Sequence, residues 1–117
     1  MSVPHAAGAI RSTAGDLIKW NTALHGGRVL SAASYKEMTT PAPVRGQANA
    51  KYGLGLHLLE QRGHRIFNHE GGIEGFQASL TYVVDSQTTV VVLANTQGGA
   101  KALADAILEL LLASPRS

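Results

Sequence analysis

The residues best suited to chemistry lie together at Asn68-His69-Glu70-Gly71-Gly72-Ile73-Glu74-Gly75-Phe76, ahead of an apolar run ending Thr89-Val90-Val91-Val92-Leu93-Ala94-Asn95. Histidine is the side chain whose proton moves near neutral pH, and glycine lets backbone approach a ligand closely. A His-x-Gly at the end of a strand, followed by a Gly-rich bend and an alternating strand, points one imidazole and several N–H dipoles into a shared cleft. Such dipoles stabilise negative charge developing on oxygen. The pattern looks like one wall of a site where negative charge develops on oxygen, with any attacking group still to be found in another segment.

A metal site is the competing chemistry, because His57, His64, His69 and Glu70 cluster on one predicted hairpin and its exit. Alternation works against it: His64 and His69 fall on opposite faces of a regular strand. No metal and no cofactor is expected. The plainest alternatives are a solvent-satisfied strand-end histidine at 69 and simple turn roles for Gly71, Gly72 and Gly75. Tyr52-Gly53-Leu54-Gly55 reads as a glycine-kinked strand packed closely on a neighbour, and Trp20 and Tyr35 as core or hinge aromatics.

The elements that must hold these residues run helices first, then strands, then a helix. Thr13-Ala14-Gly15-Asp16 has capping-box spacing, and Leu17, Trp20 and Leu24 follow at helical intervals until Gly26-Gly27. Ser31 caps a second helix, with Leu30 and Tyr35 spaced as a hydrophobic staple, and that helix ends before Pro41. Positions 41 to 51 read as a surface loop. Tyr52 to Glu60 and His64 to His69 form a hairpin through Gln61-Arg62-Gly63. Phe76, Ala78, Leu80, Tyr82 and Val84 alternate with Gln77, Ser79, Thr81 and Val83, the period of a strand with one strongly apolar face. Val90 to Ala94, apolar throughout, suits a strand covered on both faces in the middle of a sheet. Lys101 to Ala113 is helical, with Leu103, Ile107, Leu110 and Leu111 on one face and a narrow polar stripe of Lys101, Asp105 and Glu109. So narrow a stripe implies a helix packed on the sheet and partly covered on its other side. The predicted class is therefore α+β: a four-stranded antiparallel sheet, the C-terminal helix on one face and two short N-terminal helices at its end.

A chain of 117 residues with 44% hydrophobic content suits one domain, residues 1–117, burying about two-thirds of its unfolded surface. No apolar run approaches the ~20 residues of a membrane helix. The formal charge of +2 comes from scattered cations, Arg11, Arg28, Arg45, Arg62 and Arg116 among them, so nucleic acid is not an expected partner. The absence of cysteine removes disulfides and thiolate chemistry and leaves the compartment open. Met1-Ser2-Val3-Pro4 has no signal-peptide character.

Several short segments occur in an order that resembles a known family: Ala7-Gly8-Ala9-Ile10-Arg11-Ser12-Thr13-Ala14-Gly15-Asp16-Leu17, Leu30-Ser31, Met38-Thr39-Thr40-Pro41, Tyr52-Gly53-Leu54-Gly55, His69-Glu70-Gly71, Gly75-Phe76 and Val91-Val92-Leu93-Ala94-Asn95. They are similar to the C-terminal portion of the β-lactamase-related serine hydrolases, a group of class C β-lactamases, D-alanyl-D-alanine carboxypeptidases, D-aminopeptidases and esterases. The resemblance implies acyl-enzyme hydrolysis of a small-molecule or peptide substrate by the intact parent. It assigns His69 to the family's Lys-Thr-Gly or His-x-Gly position, the Gly72 amide to an oxyanion hole, and Glu70 and Gly71 to substrate binding. Glu70 stands where Thr or Ser is frequent, and its carboxylate would repel an anionic substrate group, favouring neutral esters, amides or cationic peptides over β-lactams.

The family's other two elements are missing. No Ser here has Lys three residues later, and Tyr35, Tyr52 and Tyr82 are followed at the second position by Glu37, Leu54 and Val84 rather than Asn. The chain alone is therefore expected to be inactive. The alternative is a non-catalytic binding or self-associating module. In the family's sheet the strand at 89 to 95 pairs with N-terminal strands that have no counterpart here. An apolar edge without charge or Pro invites another chain, so the expectation is a homo-oligomer formed through that strand or by exchange of the terminal helix.

Overall fold

A computed structural model describes residues 10–42, 51–96 and 98–113. Most of the predicted loop between Pro41 and Lys51 lies outside the described residues. Helix α1 spans Ala14–His25 and opens as its cap requires: Thr13 is extended and its hydroxyl accepts the N–H of Asp16 at 3.1 Å. Helix α2, Ala32–Met38, is capped likewise by Ser31, whose Oγ accepts the N–H of Ser34 at 3.1 Å. Strands β1 (His57–Gln61), β2 (His64–Ile73), β3 (Phe76–Val83) and β4 (Thr88–Ala94) form one antiparallel sheet in sequence order, and α3, Ala100–Ala113, closes the fold.

The first hairpin turns through two residues. Arg62 and Gly63 both have positive φ, 51° and 78°, the conformation that matches a two-residue turn to the twist of its strands. The register then runs from Gln61 opposite His64 to His57 opposite Asn68. Glu109 of α3 accepts hydrogen bonds from Gln61 and from Arg62, the latter at 2.8 Å, so this turn is tied to the helix. The His64 ring pairs with Asp85 of the β3–β4 turn at 2.6 Å.

Successive residues of a strand point to opposite faces, and each face carries its own core. On one side Ile66 and Val83 pack against Leu108 and Leu112 of α3, while Val92 meets Ala100 and Ala104. Burying Ile66, Val83 and Leu108 contributes about 2 kcal/mol each. The Gln77 side chain accepts the N–H of Ala100 at 3.2 Å and fixes the start of α3. On the other side His25, at the end of α1, stacks on Tyr82 with ring centroids 4.0 Å apart and planes 11° apart, beside buried Phe67. Its Nδ1 meets the Tyr35 hydroxyl at 2.7 Å. Helix α1 thus lies over the face opposite α3, not at the end of the sheet. Burial holds the His25 imidazole at a pKa of about 4, well below its usual 6.5.

Four expectations change. The strand predicted from Tyr52 starts only at His57, because Gly53 and Gly55 fold the chain back and leave Tyr52 in a single bridge to His57. Strand β2 runs on to Ile73 where a Gly-rich bend was expected, since Gly71 and Gly72 pair with Ala78 and Gln77. Helix α3 docks through Ala100, Ala104 and Leu108, the two alanines allowing close approach, and leaves Leu103, Leu110 and Leu111 exposed. Trp20 is 48% exposed, because α1 turns Asn21 and Leu24 toward the sheet instead. Strand β4 is covered on both faces as expected, yet it is an edge strand.

Candidate functional site

The backbone of β2 sets the site, and one bond fixes its polarity. Val84 donates its N–H to the carbonyl of Arg65 at 3.0 Å, on the register that pairs Ile66 with Val83. In an antiparallel ladder directly hydrogen-bonded pairs alternate with unbonded ones. His69, Gly71 and Ile73 therefore direct their N–H and C=O groups at β3. Asn68, Glu70 and Gly72 direct theirs to the other side, where β1 would lie. Strand β1 ends at His57 opposite Asn68, so among the described residues no strand faces Glu70 and Gly72. The result is a notch at the sheet edge with two outward N–H groups.

His69 is exposed, and its Nε2 lies 3.1 Å from the Tyr52 hydroxyl. The His57 ring completes a cluster, its centroid 5.6 Å from that of His69 and 4.8 Å from that of Tyr52. Tyr52 is held by a dense backbone net. Its carbonyl accepts from Ala42 at 2.8 Å, Gly53 donates to Leu56 at 2.8 Å, and Leu54 donates to the Met38 carbonyl at 3.0 Å. Gly53 sits so close to α2 that a Cβ there would stand 2.1 Å from the Met38 oxygen, which only glycine tolerates. The close packing expected of this segment is thus against the end of a helix.

Of the predicted residues, the structure brings His69 and the outward Gly72 N–H to one stretch of β2, with Gly71 between them leaving open space where a side chain would be. The half-buried Glu70 takes the α3 face, opposite His69, and its charge helps hold the Lys101 ammonium above the usual lysine range, after the hydrogen bond and charge of Asp105. His64 lies at the far end of β2, so the three histidines of the metal alternative do not meet. Among the described residues no group of three His, Cys, Asp or Glu could hold a metal. Sequence reading grouped His57 with His69 only as part of the metal alternative and missed Tyr52 as a neighbour of His69. The signal for Tyr52 was the paired glycines at 53 and 55, which mark a tight turn as readily as a kinked strand. A depression of about 430 Å³ lined by Lys36, Glu37, Pro41 and Leu54, among others, lies against α2 and shares no lining residue with this cluster.

Among solved structures, the fold is similar to a D-amino acid amidase from Ochrobactrum anthropi SV3 complexed with D-phenylalanine, with a TM-score of 0.68 and 24% identity. The match covers 92% of this chain and 37% of that one. A D-aminopeptidase of Brucella anthropi is 26% identical over 97 residues, 83% of this chain and 19% of the relative. One from Brucella ovis is 27% identical over 99 residues, 85% of this chain and 18% of the relative. The chain thus spans about a fifth of the length of these curated relatives. The Beta-lactamase family model matches residues 1–114. Because that family model spans nearly the whole sequence, the chain belongs to the β-lactamase-related serine hydrolases.

Proposed function

We propose that the chain supplies the His-x-Gly wall of an acyl-transfer site and that the acylated serine and its lysine come from polypeptide beyond these 117 residues. The observation that carries this reading is the notch at Glu70 and Gly72 beside His69. In the complete site a serine oxygen attacks the substrate carbonyl, the carbonyl oxygen takes up negative charge, and the Gly72 N–H donates to it. Gly71 keeps the strand surface low enough for the substrate to approach. The substrate class we infer is amides or short peptides of D-amino acids, as the names of the relatives suggest. The Glu70 carboxylate, expected to repel anionic substrates, instead lies on the α3 face opposite His69, where its charge acts on Lys101, so it sets no charge preference on the His69 side.

Two measurements on the chain test this. A fluorophosphonate should leave its intact mass unchanged, and an adduct on Ser12, Ser31 or Ser34 would overturn the assignment of the nucleophile to another segment. D-Phenylalaninamide should shift the backbone amide resonances of Glu70 and Gly72, and shifts confined to other segments would sink the binding role. A second reading, a self-associating module, is favoured by β4. The ladder that leaves Glu70 and Gly72 outward also directs the N–H and C=O groups of Thr89, Val91 and Leu93 away from β3, along an edge without charge or proline.

A further inference from the structure

Resting on the reading of His69 as a site residue, we propose that Tyr52 is its positioning residue. The Tyr52 hydroxyl donates to Nε2 and fixes the neutral imidazole with its proton on Nδ1. Two features carry this inference. The first is the 3.1 Å contact between the Tyr52 oxygen and the ring nitrogen. A phenol is a stronger donor than a neutral imidazole N–H, and an unprotonated ring nitrogen is a stronger acceptor than a phenol oxygen, so the proton lies on the oxygen side. The partner of one ring nitrogen decides which tautomer a histidine adopts.

The second feature is the anchorage of Tyr52. An accidental contact between two exposed side chains needs no support, yet here the backbone on either side of the tyrosine is tied down. Ala42 donates to the Tyr52 carbonyl, Leu58 to that of Lys51 and Leu54 to that of Met38, and Gly53 admits the Met38 oxygen where no other residue could. The Tyr52 ring also meets the His57 ring edge-on, with planes at 72°. Backbone and ring contacts together leave the hydroxyl little freedom to leave Nε2.

The consequence for the site concerns what His69 can do. With Nε2 occupied by the tyrosine proton, the imidazole offers a donor at Nδ1 and no free lone pair. It therefore acts by hydrogen-bond donation to an electron-rich substrate atom and not as the base that takes a proton. That role matches a position where other members of the family carry a lysine, also a donor.

Long-range ¹H–¹⁵N correlation on the ¹⁵N-labelled chain above pH 8 reads the tautomer directly. The expected result is a protonated-type Nδ1 and an unprotonated-type Nε2 for His69. Tyr52→Phe should reverse this, giving the Nε2–H form that free histidine side chains favour. An Nε2–H form or a fast tautomer mixture in the unsubstituted chain would overturn the proposal, as would an unchanged tautomer in Tyr52→Phe. Should Tyr52→Phe fail to fold, the unsubstituted spectrum still decides. The measurement involves no substrate, so it stands or falls separately from the D-phenylalaninamide titration.

Discussion

Proline at position 91 separates folding from association. The Val91 N–H points away from β3, so Val91→Pro removes no bond within the sheet, and an edge position whose N–H faces outward tolerates proline. In a two-fold pairing of β4 with a second copy, Thr89 lies opposite Leu93 and Val91 opposite itself, which gives about six inter-chain bonds of about 1 kcal/mol each. Leu93, 41% exposed, adds apolar contact. Association costs at least ~4 kcal/mol in lost freedom, so about −2 kcal/mol remains from the bonds and about −4 kcal/mol, near the millimolar range, once the Leu93 contact of each copy is added. Val91→Pro deletes two of those bonds and strands two carbonyls, a loss of about 4 kcal/mol, or about 1000-fold in Kd. Sedimentation equilibrium over about 0.1–2 mM should show a monomer–dimer equilibrium for the unsubstituted chain and a monomer for the variant, with unchanged circular dichroism. A monomeric unsubstituted chain throughout, or equal dissociation constants for the two, would refute the reasoning.

Three further substitutions probe the fold. His25 has its pKa depressed to about 4 in the folded chain against 6.5 unfolded, so its contribution is fully present above pH 6.5 and is lost as pH falls toward 4. Because the ring is half-exposed, we expect about 1–2 kcal/mol between pH 7.5 and 4.5 by urea denaturation, and His25→Gln should flatten that dependence. Gly53→Ala should cost about 3 kcal/mol in the same assay and abolish the Tyr52–His69 ring contact by nuclear Overhauser effect, because its Cβ collides with the Met38 carbonyl; a neutral substitution would contradict that geometry. The Ser79 hydroxyl is buried with no hydrogen-bond partner among the described residues, so Ser79→Ala should be neutral or stabilising by up to about 1 kcal/mol in thermal unfolding.

Much of the frame was legible because local signals decide it. The caps at Thr13 and Ser31, the Arg62-Gly63 turn and the alternation through β3 all speak within a few residues. What was not legible depends on partners distant in sequence. Gly71 and Gly72 read as a bend by propensity, yet pairing with β3 holds them in a strand. The rotation of α3 about its axis was hidden because its leucines outnumber the alanines that dock; close approach to β4 favours the smaller side chains. In the candidate site His69 and Gly72 could be read from a short motif. The bond from Tyr52 to His69 spans 17 positions and depends on the fit of Gly53 against α2, which no local pattern encodes.

The notch on β2 also bears on how such a site can change over time. What it offers a ligand at Glu70 and Gly72 is main chain, while the side chain of Glu70 leans toward α3. Recognition is thereby divided into two inheritable parts. The peptide groups persist under any substitution except proline, whereas the residue between His69 and Gly71 is free to drift in charge and size. The charge beside Lys101 on the α3 face can change one side chain at a time while the main-chain surface of the notch stays as it is.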